Sequence, residues 1–213
     1  MSIRVLRGIA PLVGLLVSVA HAQAPFDTEL DRIQQQWTVA TYQITAKDEK
    51  VKAFDALASE ARQLSAANPQ RAEPLIWEGV VLITYAGAKG GMGGLSLAKK
   101  SRAVLEAALE IDDKALDGSA YTSLGVLYSK VPGSPLGFGS DDKAEELFTK
   151  ALQLNPDGID PNYFYAQYLC DRNECRDALR YLERAAEAPP RPGREQVDEE
   201  RHREVLELMA KAQ

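Results

Sequence analysis

Two cysteines carry the most direct chemistry in this chain of 213 residues. Cys170 and Cys175 are separated by four residues in the stretch LCDRNEC. This is not the C-x-x-C spacing of a thioredoxin-like redox motif, and two cysteines without a nearby histidine provide too few ligands for a four-coordinate zinc site. In an oxidising compartment the pair predicts a local disulfide across a helix-turn-helix corner. The alternative is two free or half-buried thiols.

Two other groupings suggest metal or phosphate chemistry, and their spacing argues against both. Glu199 and His202 stand three residues apart, but a di-iron bundle needs a matching second pair and further carboxylates. The glycines at 90–94 precede Lys99 and Lys100, whereas a P-loop needs G-x-x-x-x-G-K-[ST] after a strand. No Ser-His-Asp or Cys-His set stands out either. We therefore predict no metal site, no cofactor, no catalytic residues and no enzymatic activity.

Composition narrows the class of protein further. Lys and Arg number 25 against 31 Asp and Glu, which gives a net charge of -6 and argues against binding to a phosphate backbone. Apolar residues make up 45% and charged residues 26% of the chain, as in an ordinary globular protein. The sequence therefore predicts a folded chain that does not bind nucleic acid.

The first residues are predicted to be a targeting segment. Residues 1–7 carry two positive charges and no acid, residues 8–20 are apolar apart from Ser18, and an A-x-A site ends at Ala22. This pattern predicts a secretory signal peptide over 1–22, cleaved after Ala22, and a periplasmic protein. The apolar run is shorter than the roughly 20 residues that a membrane-spanning helix needs, and no later segment is longer, so we predict no membrane span.

An internal repeat indicates the elements that position these residues. A pattern of four residues, small, bulky, small and then proline, occurs twice at an interval of 34 positions. The first copy is Ala144, Phe148, Ala151 and Pro156, and the second is Ala178, Leu182, Ala185 and Pro190. Small residues let two helices approach closely, a bulky residue fills the adjacent gap, and proline ends the second helix. No segment has the period-two pattern of a strand. The sequence predicts an all-α stack of about nine helices arranged as antiparallel pairs.

The 34-residue pattern resembles the tetratricopeptide repeat (TPR) family. The stretch from Gly87 to Arg194, with KGGMGG, LDGSAYTSLGVLY, KVPGSPLGFG, LNPDGIDPNYFYAQYL and APPRPGR, resembles the T-component proteins associated with TRAP-type transporters. The resemblance implies a right-handed superhelical α-solenoid and an exported protein that partners the periplasmic solute-binding subunit. The expected parts are a signal peptide (1–22), a degenerate helical hairpin (23–70), three TPR-like helix pairs (71–193) and a C-terminal capping helix (194–213).

Two repeats are longer than expected between their first and second helices. The excess includes AGAKGGMGG in one repeat and falls in VPGSPLGFGSDD in the next. Insertions at equivalent points of a solenoid project from the same edge. We therefore predict two adjacent loops whose apolar residues, Met92, Leu136 and Phe138, form a lip beside the groove. The alternative is a pair of ordinary long loops packed on their own side chains.

The resemblance also implies which first-helix residues face the concave groove. In chain order these are Glu73, Ile76, Val80, Ile83 and Thr84; then Ser119, Thr122, Val126, Ser129 and Lys130; then Asp160, Tyr163, Gln167, Cys170 and Asp171. The three aliphatic residues of the first set suggest an apolar groove, and the alternative for them is burial beneath the neighbouring hairpin. The Lys and Asn set that clamps a peptide carboxylate in chaperone-binding members is missing.

These features together predict a non-catalytic scaffold. Its groove is expected to bind a protein partner, such as a solute-binding subunit, or a hydrophobic small ligand. The alternative is an envelope-assembly adaptor that recognises an extended peptide. The oligomeric state stays open.

Overall fold

The computed structural model describes residues 20–212, with side chains from residue 26 onward. Over this range the chain is all-α and contains no β-strand. Its helices are α1 (Ala20–Thr38), α2 (Lys47–Ala67), α3 (Ala72–Lys89), α4 (Gly91–Ile111), α5 (Ala115–Lys130), α6 (Asp141–Leu154), α7 (Ile159–Asp171), α8 (Cys175–Glu187) and α9 (Glu195–Ala212). A π-helical segment, Val39–Gln43, follows α1 directly. The predicted signal peptide lies outside the described residues except for its last three, which belong to α1.

Successive helices pack as pairs, and the odd-numbered helices also pack against one another. The closest pairs are α3 with α4, α5 with α6 and α7 with α8. In addition, α1 contacts α3, α3 contacts α5, α5 contacts α7 and α7 contacts α9. The odd-numbered helices therefore form a continuous row.

Two glycines explain how closely the pairs pack. A Cβ placed on Gly79 of α3 would lie 2.5 Å from Cγ of Leu105 in α4. A Cβ on Gly125 of α5 would lie 2.8 Å from Cε1 of Phe148 in α6. Leu105 and Phe148 are both fully buried, so each bulky side chain fills the space that its glycine leaves.

The buried core runs along the whole array in three clusters, centred on Trp77, Leu105 and Phe148. Val197 of α9 belongs to the first cluster, together with Trp37 of α1. The last helix therefore packs back onto side chains from the beginning of the array.

The glycine-rich segment before α4 is not a loop, contrary to the sequence prediction. Helix α3 continues to Lys89 and α4 begins at Gly91, so the extra residues lengthen the two helices. The chain turns at Gly90 and Gly91, whose φ angles of 69° and 56° are readily adopted only by glycine. Met92 consequently lies in the first turn of α4 rather than in a loop.

The second insertion is a loop, residues 131–140, between α5 and α6. Its Leu136 is exposed, whereas Phe138 packs edge-on against Tyr128, with 5.3 Å between the ring centroids. The guanidinium of Arg102 in α4 lies 4.4 Å from the centroid of the Phe138 ring. The loop is therefore held against both α5 and α4.

A disulfide joins Cys170 in α7 to Cys175, the first residue of α8. The disulfide prediction is thus confirmed, and the alternative of free thiols is wrong. Asn173 takes a left-handed φ of 64° in the turn between them. No helix in the described part of the chain is both long and apolar enough to cross a membrane.

Candidate ligand-binding cavity

A cavity of about 460 Å³ lies between the odd-numbered helices. Residues of α1, the π-helical segment, α3, α5 and α7 line it, and α9 and the connection from α8 to α9 contribute the remaining wall. Pockets of 300 to 1,000 Å³ are typical of small-molecule sites. The row of odd-numbered helices thus encloses a space of the size that a small ligand needs.

The apolar wall of the cavity is built around two tryptophans. Trp37 of α1 and Trp77 of α3 meet edge to face, with ring centroids 5.9 Å apart. The indole nitrogen of Trp37 donates a hydrogen bond to the Thr84 hydroxyl at 2.9 Å, which ties α1 to α3. Aliphatic and aromatic residues continue this wall: Ile76, Val80, Ile83, Val126 and Phe164.

Three arginines, Arg191, Arg194 and Arg201, form what we call the arginine wall. Arg201 donates from Nε to Oδ1 of Asp160 at 3.0 Å, and Arg191 donates from Nη1 to the other carboxylate oxygen of Asp160 at 2.7 Å. Arg191 also pairs with Asp198. Two of the three arginines are thus neutralised by carboxylates.

The electrostatics of the arginine wall depend on Asp160. Burial acts to raise the pKa of Asp160, but attraction by Arg201, Arg191 and Arg194 outweighs it and lowers that pKa. Asp160 therefore stays ionised and holds the arginine wall to the start of α7.

Arg194 differs from the other two arginines. Its guanidinium makes no hydrogen bond or ion pair to any residue that the structure describes, and it lies 5.1 Å from the centroid of the Trp77 ring. Burial, followed by repulsion from Arg191, lowers the pKa of Arg194. Asp160 and Asp198 attract this half-buried cation, but among the described residues it donates no hydrogen bond to a carboxylate.

The π-helical segment brings a polar group to the cavity. Thr41 and Tyr42 both line it, and the buried hydroxyl of Thr41 has no hydrogen-bond partner. Single turns of π-helix occur frequently at functional sites. A buried hydroxyl without a partner costs about 1 to 3 kcal/mol.

Backbone strain occurs at the beginning of α5. Leu116 and Asp117, which line the cavity, have φ angles of 49° and 55°, and Gly118 follows with 75°. Non-glycine residues in this region cost of order 1 to 3 kcal/mol each and cluster at binding sites. The strain therefore falls on the wall of the cavity.

Eight of the fifteen groove residues named from the sequence line the cavity, and seven do not. The eight are Ile76, Val80, Ile83, Thr84, Ser119, Thr122, Val126 and Asp160. Among them Ile76 is only 1% exposed and also belongs to the core cluster that contains Leu105, whereas Val80 and Ile83 are half-buried.

The other seven do not line the cavity: Glu73, Ser129, Lys130, Tyr163, Gln167, Cys170 and Asp171. Ser129 and Lys130 are the last two residues of α5, beyond the part of that helix that lines the cavity, and Lys130 pairs with Asp171. Tyr163 is buried, with the guanidinium of Arg201 4.6 Å from its ring centroid, and it faces Gln167.

None of the proposed lip residues lines the cavity. Met92 is 80% exposed and Leu136 is 70% exposed, while Phe138 packs against Tyr128 as described above. Met92 and Leu136 are thus free apolar surface, and Phe138 is part of the support of its loop.

Sequence reasoning missed the tryptophans and the arginine wall. Trp37 lies in the hairpin that was predicted to be degenerate, and Arg201 lies in the predicted C-terminal capping helix. An available signal was the run RPGR at residues 191–194, which places two arginines just before an acid-rich helix.

The described residues contain no cluster of His, Cys, Asp and Glu that could hold a metal ion. His202, named above with Glu199, instead hydrogen-bonds the Asp198 carbonyl of its own helix at 2.8 Å. The cavity as a whole therefore combines an apolar wall around the two tryptophans with the arginine wall.

No protein-family model matches the chain, and no curated protein matches it.

Proposed function

We propose that the chain is a non-catalytic, TPR-like scaffold that binds a small hydrophobic ligand. The observation that carries this proposal is the cavity of about 460 Å³ with Trp37 and Trp77 in its wall. Burying apolar ligand surface against such walls releases about 25 cal/mol per Å², which is enough for specific binding by a small molecule.

The superhelical TPR-like arrangement is part of the same proposal. Two observations support it: the row of odd-numbered helices and the matching contacts Gly79 to Leu105 and Gly125 to Phe148. In TPR proteins the first helices of successive pairs line the concave face, where ligands bind. The odd-numbered helices take that place here.

A periplasmic location is also proposed. The signal-peptide pattern and the Cys170–Cys175 disulfide support it, because disulfides persist in oxidising compartments. Cleavage after Ala22 keeps Phe26 and every later core residue that the structure describes in the mature chain. The intact mass of protein recovered from the periplasm tests this proposal, and a mass that still includes residues 1–22 contradicts it.

Intrinsic fluorescence tests ligand binding directly. The chain has two tryptophans, and both line the cavity, so their emission should change when an apolar probe such as 1-octanol enters. Val80→Asp and Val126→Asp should weaken this response at least about tenfold because they put a carboxylate against the ligand.

Stability measurements separate a binding defect from unfolding. Val80 and Val126 are half-buried, so both variants should keep their helical content, whereas Ile76→Asp should unfold or lose several kcal/mol because Ile76 is 1% exposed. A large loss of melting temperature for Val80→Asp and Val126→Asp would instead show that these residues serve the core alone.

A second function, docking of a protein partner, is favoured by the exposure of Met92 and Leu136. By the resemblance to T-component proteins, that partner is a periplasmic solute-binding subunit. Met92→Ser and Leu136→Ser should reduce co-purification of such a subunit without changing the fluorescence response. Unchanged co-purification would exclude these two residues from the interface.

A further inference from the structure

The unpaired cation in the cavity indicates what kind of ligand belongs there. Asp160 and Glu204, two of the acids on the wall, already accept hydrogen bonds from Arg191 and Arg201. The remaining acid, Asp117, is exposed at the strained beginning of α5. Arg194 is left without a hydrogen bond to any carboxylate of the described residues, although Asp160 and Asp198 attract it.

The contact with Trp77 places this cation beside the apolar wall, with its guanidinium carbon 5.1 Å from the centroid of the ring. A guanidinium presents its N–H donors as a rigid planar fork. That planar fork matches the two oxygens of a carboxylate. The same ring forms part of the apolar wall, so a ligand that contacts Arg194 can extend its apolar part along the tryptophans.

The number of free donors, rather than the net charge, limits the ligand to one carboxylate. The three arginines of the arginine wall are balanced by three carboxylates, Asp160, Asp198 and Glu204, which pair with Arg191 and Arg201. Arg194 is the one arginine of the wall whose guanidinium donates no hydrogen bond to a described residue, so a second carboxylate on the ligand would find no free guanidinium there. The volume of the cavity suits a small molecule rather than a folded partner.

We propose that the cavity binds a small amphipathic organic acid, with its carboxylate on Arg194 and its apolar part between Trp37, Trp77 and Val126. This inference rests on the proposed function, since it names the class of ligand for the same cavity.

The test compares acids with the alcohols of the same carbon skeleton. Octanoate is titrated against 1-octanol, and 4-phenylbutyrate against 4-phenyl-1-butanol, with tryptophan emission and calorimetry as readouts. Wild-type protein should bind each acid at least about tenfold more tightly than its alcohol, as expected for a hydrogen bond to a charged group. Arg194→Met should bring the affinity for each acid to about that of its alcohol, and Arg194→Lys should retain part of the preference.

Arg184→Met is the matched control, because it removes the same charge from an exposed site on α8. It should leave all four affinities unchanged. Equal affinity of wild type for acid and alcohol would overturn the inference while the proposed function stands. Absence of binding by all four probes would overturn both. An acid preference that survives in Arg194→Met would show that another group recognises the carboxylate.

Discussion

Arg201 and Asp160 connect the last helix to the beginning of α7 through a hydrogen bond of 3.0 Å between Nε and Oδ1. The side chain of Arg201 is 8% exposed, and the other oxygen of Asp160 is held by Arg191. The pair therefore fixes α9, and with it one wall of the cavity, in place.

This pair predicts a loss of stability in acid. The pKa of Asp160 is lowered in the folded state from its ordinary value near 3.8, so the unfolded chain binds the proton more readily. The stabilisation is complete above pH 3.8 and is lost as the pH falls further.

The corresponding variant, Asp160→Asn, should be destabilised by about 3 kcal/mol at pH 7, because Arg191 and Arg201 each lose one of their two carboxylate partners. The difference from wild type should shrink below about pH 4. Urea unfolding between pH 2.5 and 7 measures both effects. Asp157→Asn changes an exposed acid nearby and should have little effect. A pH-independent difference between Asp160→Asn and wild type would contradict this account.

Gly79→Ala should destabilise the protein by about 1 to 3 kcal/mol, because the new methyl group would lie 2.5 Å from Cγ of Leu105. Gly87→Ala makes the same change in the same helix, at a position with no atom within 4 Å. It should stabilise the protein by up to about 1 kcal/mol through helix propensity. Thermal melts should therefore shift in opposite directions. Shifts of the same sign would mean that α3 and α4 are not in close contact at Gly79.

Gly118→Ala tests the strained beginning of α5. Gly118 has a φ of 75°, and a Cβ there would lie 2.8 Å from Cδ1 of Leu154, so both the backbone and the packing oppose a side chain. Gly193→Ala has a similar φ of 76° with no neighbour within 4 Å, and should lose only the backbone part, about 1 kcal/mol. Denaturant midpoints of the two variants separate these contributions. An equal loss would show that Leu154 moves aside freely.

Removing the disulfide with Cys170→Ala and Cys175→Ala should destabilise the protein by about 2 kcal/mol, because the bond restricts only a short loop of the unfolded chain. Wild-type protein unfolded in the presence of a reductant should show the same loss. Non-reduced peptide mapping provides a direct check. Recovery of two alkylatable thiols from the native protein would contradict the bond.

The close contacts between helices could be predicted from the sequence because they depend on residues that repeat. Gly79 and Gly125 stand in equivalent places, and Leu105 and Phe148 fill the gaps beside them. Such contacts are local to one helix pair, so the spacing along the chain determines them.

The arginine wall could not be predicted in this way. Arg191 and Arg201 reach Asp160 across 31 and 41 residues, and no repeat relates these positions. The glycine-rich segment was predicted to be a loop because glycine is unfavourable inside a helix. In the structure Gly93 and Gly94 lie inside α4. The helix propensities of the single residues therefore did not indicate that α4 extends through this segment.

The packing of Val197 against the cluster of Trp37 and Trp77 has a consequence for how the protein unfolds. In an open array of repeats, terminal units contact a neighbour on one side only and can melt before the rest. Here the final helix holds the first ones, and the cavity takes its walls from residues as far apart as Gln34 and Glu204. Fraying at either terminus would therefore expose the same interface. A proteolytic cut near either end of the described chain should therefore open the binding cavity, because residues from both ends contribute to its wall.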